Sequence, residues 1–177
     1  NIAESVILGC KNATAPFVVT TADNVLVKHD SIDKVLRSLN DGADAVAGLA
    51  NKEDILGIHP KAQKGYYEFR DHGVANCNLY GIRDSHALKA ADIFREGGQF
   101  MSNPKRLVNA FGLINILLMR FKLVTVDGAF RRMSKRFGIE IRRVPLADGT
   151  QAIDVDNDRT YQIVEAILED RVKDLKI

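Results

Sequence analysis

The chain has 177 residues, enough for one domain with a sizeable core, and its 46% apolar and 27% charged residues are ordinary globular composition. A formal net charge of +2 is too small to draw nucleic acid or a membrane by field alone, so no nucleic-acid partner is expected. Cys10 and Cys77 lie far apart without metal-ligand spacing and read as reduced thiols of a cytoplasmic protein; no signal peptide is visible.

Residues 2 to 11 read as a helix, followed by a loop from Asn12 to Pro16. The chain starts at Asn1, at the edge of that helical stretch and not at Met, so the sequence reads as the back part of a longer α/β chain. Phe17-Val18-Val19-Thr20-Thr21 is β-branched and aromatic and is expected as a central, buried parallel strand ending near Asp23. Ser31 is placed as the N-cap of a helix reaching Leu39, with Val35, Leu36 and Leu39 facing the sheet and Asn40-Asp41-Gly42 closing it. Ala45 to Leu49 is the next strand, completing a βαβ unit.

Residues 51 to 65 are polar, with Gly57, Pro60 and Gly65, and read as a long loop. Tyr66 to Arg70 alternates, Asp71-His72-Gly73 turns, and Val74 to Ile82 returns, giving an antiparallel hairpin. Helices are expected over Ser85 to Arg95, Pro104 to Phe121 and Thr125 to Phe137, the last stopped by Gly138, with a polar loop at Gln99 to Lys105. Leu107 to Val124 is rich in apolar residues, but Asn109, Asn115, Arg120 and Lys122 interrupt it, so no integral membrane span is expected. A buried or amphipathic helix fits that stretch; docking on a membrane surface or on another subunit is the other reading. Ile139 to Val144 alternates as a strand, Ala152 to Asp156 is a short strand or loop, and the final helix runs from about Asp158 to Lys173. The alternation of strands and helices predicts a single α/β domain over residues 1 to 177.

Two acidic places could carry chemistry. Asp23 follows its strand at the carboxyl edge, where ligands bind in open α/β sheets; a plain loop aspartate is the other reading. Asp154 and Asp156, two apart in an extended segment, could share a face, with Asp158 close behind. Carboxylates gathered at a sheet edge suit Mg²⁺, which takes one or two of them together with substrate phosphates. The competing reading of Asp156 to Asp158 is the N-terminal cap of the last helix.

Taken together, Val18-Val19-Thr20-Thr21-Ala22-Asp23-Asn24-Val25-Leu26-Val27, Gly42-Ala43-Asp44-Ala45-Val46, Tyr67-Glu68-Phe69-Arg70-Asp71-His72-Gly73, Asn78-Leu79-Tyr80 and Ala152-Ile153-Asp154-Val155-Asp156-Asn157-Asp158-Arg159 resemble, in order, the signatures of MobA-like nucleotidyltransferases. The resemblance implies a nucleotide-diphospho-sugar transferase fold: a Rossmann-like, three-layer α/β/α sandwich with a mostly parallel, mixed sheet. It implies Mg²⁺ held by Asp23, Asp154 and Asp156, with Asp23 and Asp156 catalytic and Asn78 near the acceptor pocket. It implies transfer of a nucleotidyl group from a nucleoside triphosphate to a phosphorylated small-molecule acceptor, with pyrophosphate released. The family's glycine-rich first loop has no counterpart here, in keeping with an N-terminal portion outside this sequence. Val25 stands for the family proline, Asn76-Cys77 for a glycine pair, and Asn157-Asp158 for Thr-Pro.

Lys52, Lys105 and Arg106 are candidate phosphate-binding cations, with solvated surface positions as the alternative. His29, His59, His72 and His86 have no ligand spacing, and Cys77 is placed as a packed residue within a strand. The basic repeat Arg131-Arg132 and Lys135-Arg136 reads as a solvated helix face. The rival to the enzyme is a non-catalytic α/β module of the same fold that binds a ligand or partner. The oligomeric state is left open.

Overall fold

The structure is a computed structural model that describes residues 2–91, 108 and 112–174. In chain order its elements are α1 (Ile2–Lys11), β1 (Phe17–Thr20), α2 (His29–Asn40), β2 (Ala45–Asn51), α3 (Lys52–Ile58), β3 (Tyr67–Glu68), β4 (Gly73–Ile82) and α4 (Ser85–Ala91). They continue with α5 (Leu113–Arg120), α6 (Val126–Phe137), β5 (Ile141–Pro145), a 3₁₀ turn (Gly149–Ala152) and α7 (Asp158–Asp174).

The sheet runs β1-β4-β2-β5, with β3 added to β4. β4 is antiparallel to β1, β2 and β3, whereas β2 and β5 pair in parallel. Four strands therefore share one direction and β4 alone opposes them. β1 and β2 are joined through α2 as expected, but β4 lies between them. Among the described residues β1 is consequently an edge strand of this sheet and not a central one, which corrects the expectation from its apolar run. The run reports coverage of its two faces, not its place in the hydrogen-bonded order. Val18 packs against one core cluster while Phe17 and Val19 pack in another.

Alternate residues of β4 divide the core. Ala75, Cys77 and Leu79 join Val35 and Leu39 of α2, Ile55 of α3, Ile153 after the 3₁₀ turn, and Val164 of α7. Ile82 joins Ile7 and Cys10 of α1 with Leu88 of α4, and Val74 joins Leu49, Phe69, Val126 and Ala129 of α6. Val35, Leu79 and Ile153 are completely buried. Each such aliphatic side chain contributes about 1.5–3 kcal/mol by leaving water.

Several boundaries move. Residues 52–58 are helical where a loop was expected, because a seven-residue helix with only Ile55 buried shows no readable period. α2 begins at His29, so Ser31 is a buried first-turn residue and not the cap. The expected hairpin is present as β3 and β4, and α6 runs from an N-capping Thr125 to Gly138, which takes the left-handed φ of +68° typical of a helix stop. The part of the Ser85–Arg95 helix beyond Ala91, and most of the Pro104–Phe121 helix before Gly112, lie outside the described residues.

Candidate functional site

The carboxyl end of β1 leads directly into Thr21-Ala22-Asp23-Asn24, and this loop is fixed by its own polar side chain. Asn24 is buried, and its Nδ2 donates to the Cys77 carbonyl of β4 at 2.6 Å and to Thr20 Oγ1 at 3.2 Å. Asp23 is thereby held beside the neighbouring strand. The second carboxylate arrives from the other end of the chain. After β5, the 3₁₀ turn is capped by Asp148, whose carboxylate accepts from the Thr150 N–H at 3.0 Å. Gly149 passes so close to α3 that a Cβ there would lie 2.6 Å from the Asp54 backbone. The buried Ile153 then anchors the segment, and the Val155 N–H donates to the Asp23 carbonyl at 3.0 Å.

A ring of polar contacts holds that arrangement. Lys28 pairs with Asp148 at 2.5 Å, the Lys28 N–H donates to Gln151 Oε1 at 3.0 Å, and Arg171 of α7 donates to Thr150 Oγ1 at 2.8 Å. Burial pushes the Asp148 carboxyl up, but Lys28 and Thr150 outweigh it and leave the group below its ordinary range.

Asp154 is half-buried, and Asn78 Nδ2 donates to its Oδ2 at 2.7 Å. Burial first, and then the charges of Asp23 and Asp156, push its pKa up to about 6, against the opposing pull of Asn78. That charge coupling places the three carboxylates in one electrostatic neighbourhood. Asp23 Oδ1 and Asp154 Oδ1 are both buried without a hydrogen-bond partner among the described residues. Anionic oxygens in that state are costly unless a cation, water or donor meets them. Hard, charged oxygen donors suit Mg²⁺, which tolerates one or two protein carboxylates and completes its shell with water or phosphate. Among the described residues no group of three or more His, Cys, Asp or Glu side chains is close enough to form a protein-only metal cage.

Asp156 differs from Asp154. It is exposed, its N–H donates to Thr160 Oγ1 at 3.0 Å, and Asn157 Oδ1 accepts from the Thr160 N–H at 3.4 Å to cap α7. Asn78 adopts a left-handed backbone, φ +46°, uncommon outside glycine but least so for asparagine and aspartate. Its Oδ1 accepts from Asn76 Nδ2 at 2.9 Å, and Asn76 Nδ2 also donates to the Tyr80 hydroxyl. A cavity of about 350 Å³ opens beside this network, lined by Gln63, Tyr66, Tyr67, Asn76, Asn78 and Asp154. The Tyr66 hydroxyl is buried there without a partner among the described residues. Asp23 also borders a mostly apolar groove of about 920 Å³, walled by Val25, Val155, Tyr161, Leu168 and Val172.

Lys52 stands at the carboxyl end of β2, its ammonium 2.7 Å from Glu68 and 5.3 Å from the centre of the Tyr66 ring. The hydrogen bond and charge of Glu68 raise the Lys52 pKa, so its charge is already balanced. Lys105 and Arg106 lie outside the described residues. Cys77 is fully buried, and burial pushes its thiol up to about 12, which rules out a thiolate near neutral pH. Asn24, Asn76 and Tyr66 were not singled out from the sequence. Asn24 adjoins Asp23, and Asn76 and Tyr66 sit in alternating strand runs, but no spacing rule marks them as polar partners.

No protein-family model matches the chain, and no curated protein matches it. Among solved structures, one from Thermus thermophilus described as a hypothetical transferase is similar, with a TM-score of 0.78 and 18% identity. The match covers 90% of this chain and 69% of that one. Among the described residues no helix is long and apolar enough to cross a membrane. The chain thus has a mixed α/β fold like that of a hypothetical transferase, with two carboxylates converging at the carboxyl end of β1.

Proposed function

We propose that this chain carries the metal site of a Mg²⁺-dependent, MobA-like nucleotidyltransferase of the three-layer, Rossmann-like nucleotide-diphospho-sugar transferase fold. Its reaction moves a nucleotidyl group from a nucleoside triphosphate to the phosphate of a small-molecule acceptor. The observation that carries the reading is the convergence of Asp23 and Asp154, each with one buried and unpartnered carboxylate oxygen. The likeness to a hypothetical transferase agrees with it.

Asp23 and Asp154 would hold the cation, which when bound neutralises phosphate charge and orients the reacting groups. Asn78 fixes the rotamer of Asp154 through its 2.7 Å hydrogen bond. The cavity beside Asn78, with the free Tyr66 hydroxyl, is where the acceptor is expected to bind. An acceptor phosphate oxygen attacks the α-phosphorus, forming the new P–O bond as the bond to the β-phosphate oxygen breaks and pyrophosphate departs. That displacement needs positioning and charge stabilisation, not a protein nucleophile, which suits a site whose nearest thiol is locked as Cys77–SH.

The test is pyrophosphate release by the protein over a panel of nucleoside triphosphates and sugar phosphates with Mg²⁺. Release that disappears in Asp23→Asn supports the proposal. Absence of release for every pair, with tight binding of a ligand at the same cavity, would favour the non-catalytic binding module.

A further inference from the structure

A second concave surface lies apart from the carboxylates. Arg70 from the turn after β3 and Arg131, Arg132, Lys135 and Arg136 from α6 line one groove of about 600 Å³, together with Asn115 and Thr125. That volume lies within the range of small-molecule sites. No aspartate or glutamate lines it. We infer that this groove binds a phosphate-bearing anion.

The gathering of five cations around one concavity separates this cluster from an ordinary solvated face. Several cations elsewhere face a carboxylate: Lys28 has Asp148, Lys52 has Glu68, Arg83 has Asp44 and Arg143 has Asp127. Arg70, Arg131 and Lys135 make no side-chain hydrogen bond or ion pair among the described residues. The nearby acids make their hydrogen bonds elsewhere, although the charge of Arg131 also acts on Asp127. Asp71 accepts the Val126 N–H at 3.0 Å, and Asp127 is gripped by Arg143 at 2.5 Å. Like charges held around one concavity repel, and an anion seated between them turns that repulsion into attraction.

The cations are also held in place. Arg131 and Lys135 are one helical turn apart and so share a face of α6. Arg132 Nε donates to Asn115 Oδ1 at 2.5 Å, which fixes its guanidinium across to α5. The Arg70 N–H donates to the Val124 carbonyl at 3.0 Å, tying its turn to the loop before α6. Guanidinium forks match phosphate oxygens two at a time, which favours phosphate over a simple halide.

Two sources could present such a phosphate. One is a soluble phosphorylated molecule. The other is the headgroup of an anionic lipid, because Leu113, Ile114 and Leu117 of the adjoining α5 and Phe121 just after it are apolar and between 45% and 68% exposed. The experiment separates them, in Mg²⁺-free buffer so that the carboxylate site does not contribute. Inorganic pyrophosphate is titrated into the protein by calorimetry. In parallel, vesicles of phosphatidylcholine with and without phosphatidylglycerol are co-sedimented with it.

We expect saturable binding in one arm that weakens with salt and falls at least tenfold in the Arg131→Gln/Lys135→Gln double variant. Arg70→Gln, on a different element, should weaken binding several-fold and guards against misfolding of α6. A charge-matched control, Lys61→Gln/Lys64→Gln, should bind as the unaltered protein does. Pyrophosphate binding assigns a soluble ligand, and phosphatidylglycerol-dependent sedimentation assigns a lipid. No binding in either arm, or equal losses in the control and groove variants, would overturn the inference. Because metal is absent and pyrophosphate release is not measured, failure here leaves the carboxylate proposal standing, and the reverse holds.

Discussion

Asp23 and Asp154 sit half-buried within hydrogen bonds that reach from β1 to α7, whereas Arg131, Arg132 and Lys135 stand exposed along one helix. Both are clusters of like charge, yet they are held differently. The acidic pair is locked by the buried Ile153, by Gly149 against α3 and by Asn78. The basic groove is carried on the solvent side of α6, whose inner face, with Val126 and Ala129, does the packing. The lesson is that the acidic cluster is a feature of the core, so changing its supports costs stability. The basic cluster is a feature of the surface, and changing it should alter binding alone.

The largest expected effect tests that contrast at its base. Ile153→Ala removes a completely buried side chain directly before Asp154 and should cost about 3 kcal/mol in urea unfolding. A cost below about 1 kcal/mol would mean the acidic segment is not fixed by the core. Gly149→Ala should cost about 2 kcal/mol, because the added methyl meets the Asp54 backbone and one of the two segments must move. Thermal denaturation measures it, and an unchanged midpoint would remove the close approach from the account.

Asp154→Asn sharpens the comparison through pH. The folded-state pKa is raised from 3.8 to about 6, so between those values the folded protein holds a proton that the unfolded chain has lost. The contribution of Asp154 to stability should therefore be fully present near pH 4, decline as pH rises to about 6, and be lost above it. Asparagine removes the decline. The variant should match the parent at pH 4 and exceed it by about 1 kcal/mol at pH 8 in metal-free buffer, after discounting the shift for partial solvent exposure. A variant less stable at pH 8 would contradict the repulsion. The smallest effect belongs to the groove: Arg131→Gln/Lys135→Gln should change unfolding free energy by no more than about 0.5 kcal/mol. A loss of 2 kcal/mol would show that the helix face supports the fold after all.

Much of this was legible in the sequence where a residue acts locally. Thr125 and Gly138 bound α6 because capping and left-handed stops are short-range chemistry. Asp23 and Asp154 could be brought together because both follow or precede elements at one sheet edge. The edge position of β1 was not legible, since an apolar run reports what covers its faces and not which strand inserts beside it. α3 escaped because seven residues give less than two helical turns of pattern. The different standing of Asp154 and Asp156 depends on Asn78, which reaches Asp154 only through the fold. The open groove around Arg131 and Lys135 depends on Arg70 approaching from a distant turn, so the sequence alone showed only a basic helix face.

The most direct test of the central claim is Mg²⁺-dependent pyrophosphate release by the protein and its Asp23→Asn, Asp154→Asn and Asp156→Asn variants, each checked for folding by circular dichroism. The account predicts that Asp23→Asn and Asp154→Asn each lose at least about 100-fold with the fold intact, a loss of about 2.7 kcal/mol in transition-state stabilisation. Asp156→Asn, whose carboxylate is exposed, should lose less. Full release by Asp23→Asn would contradict the site and leave the fold to serve a binding role.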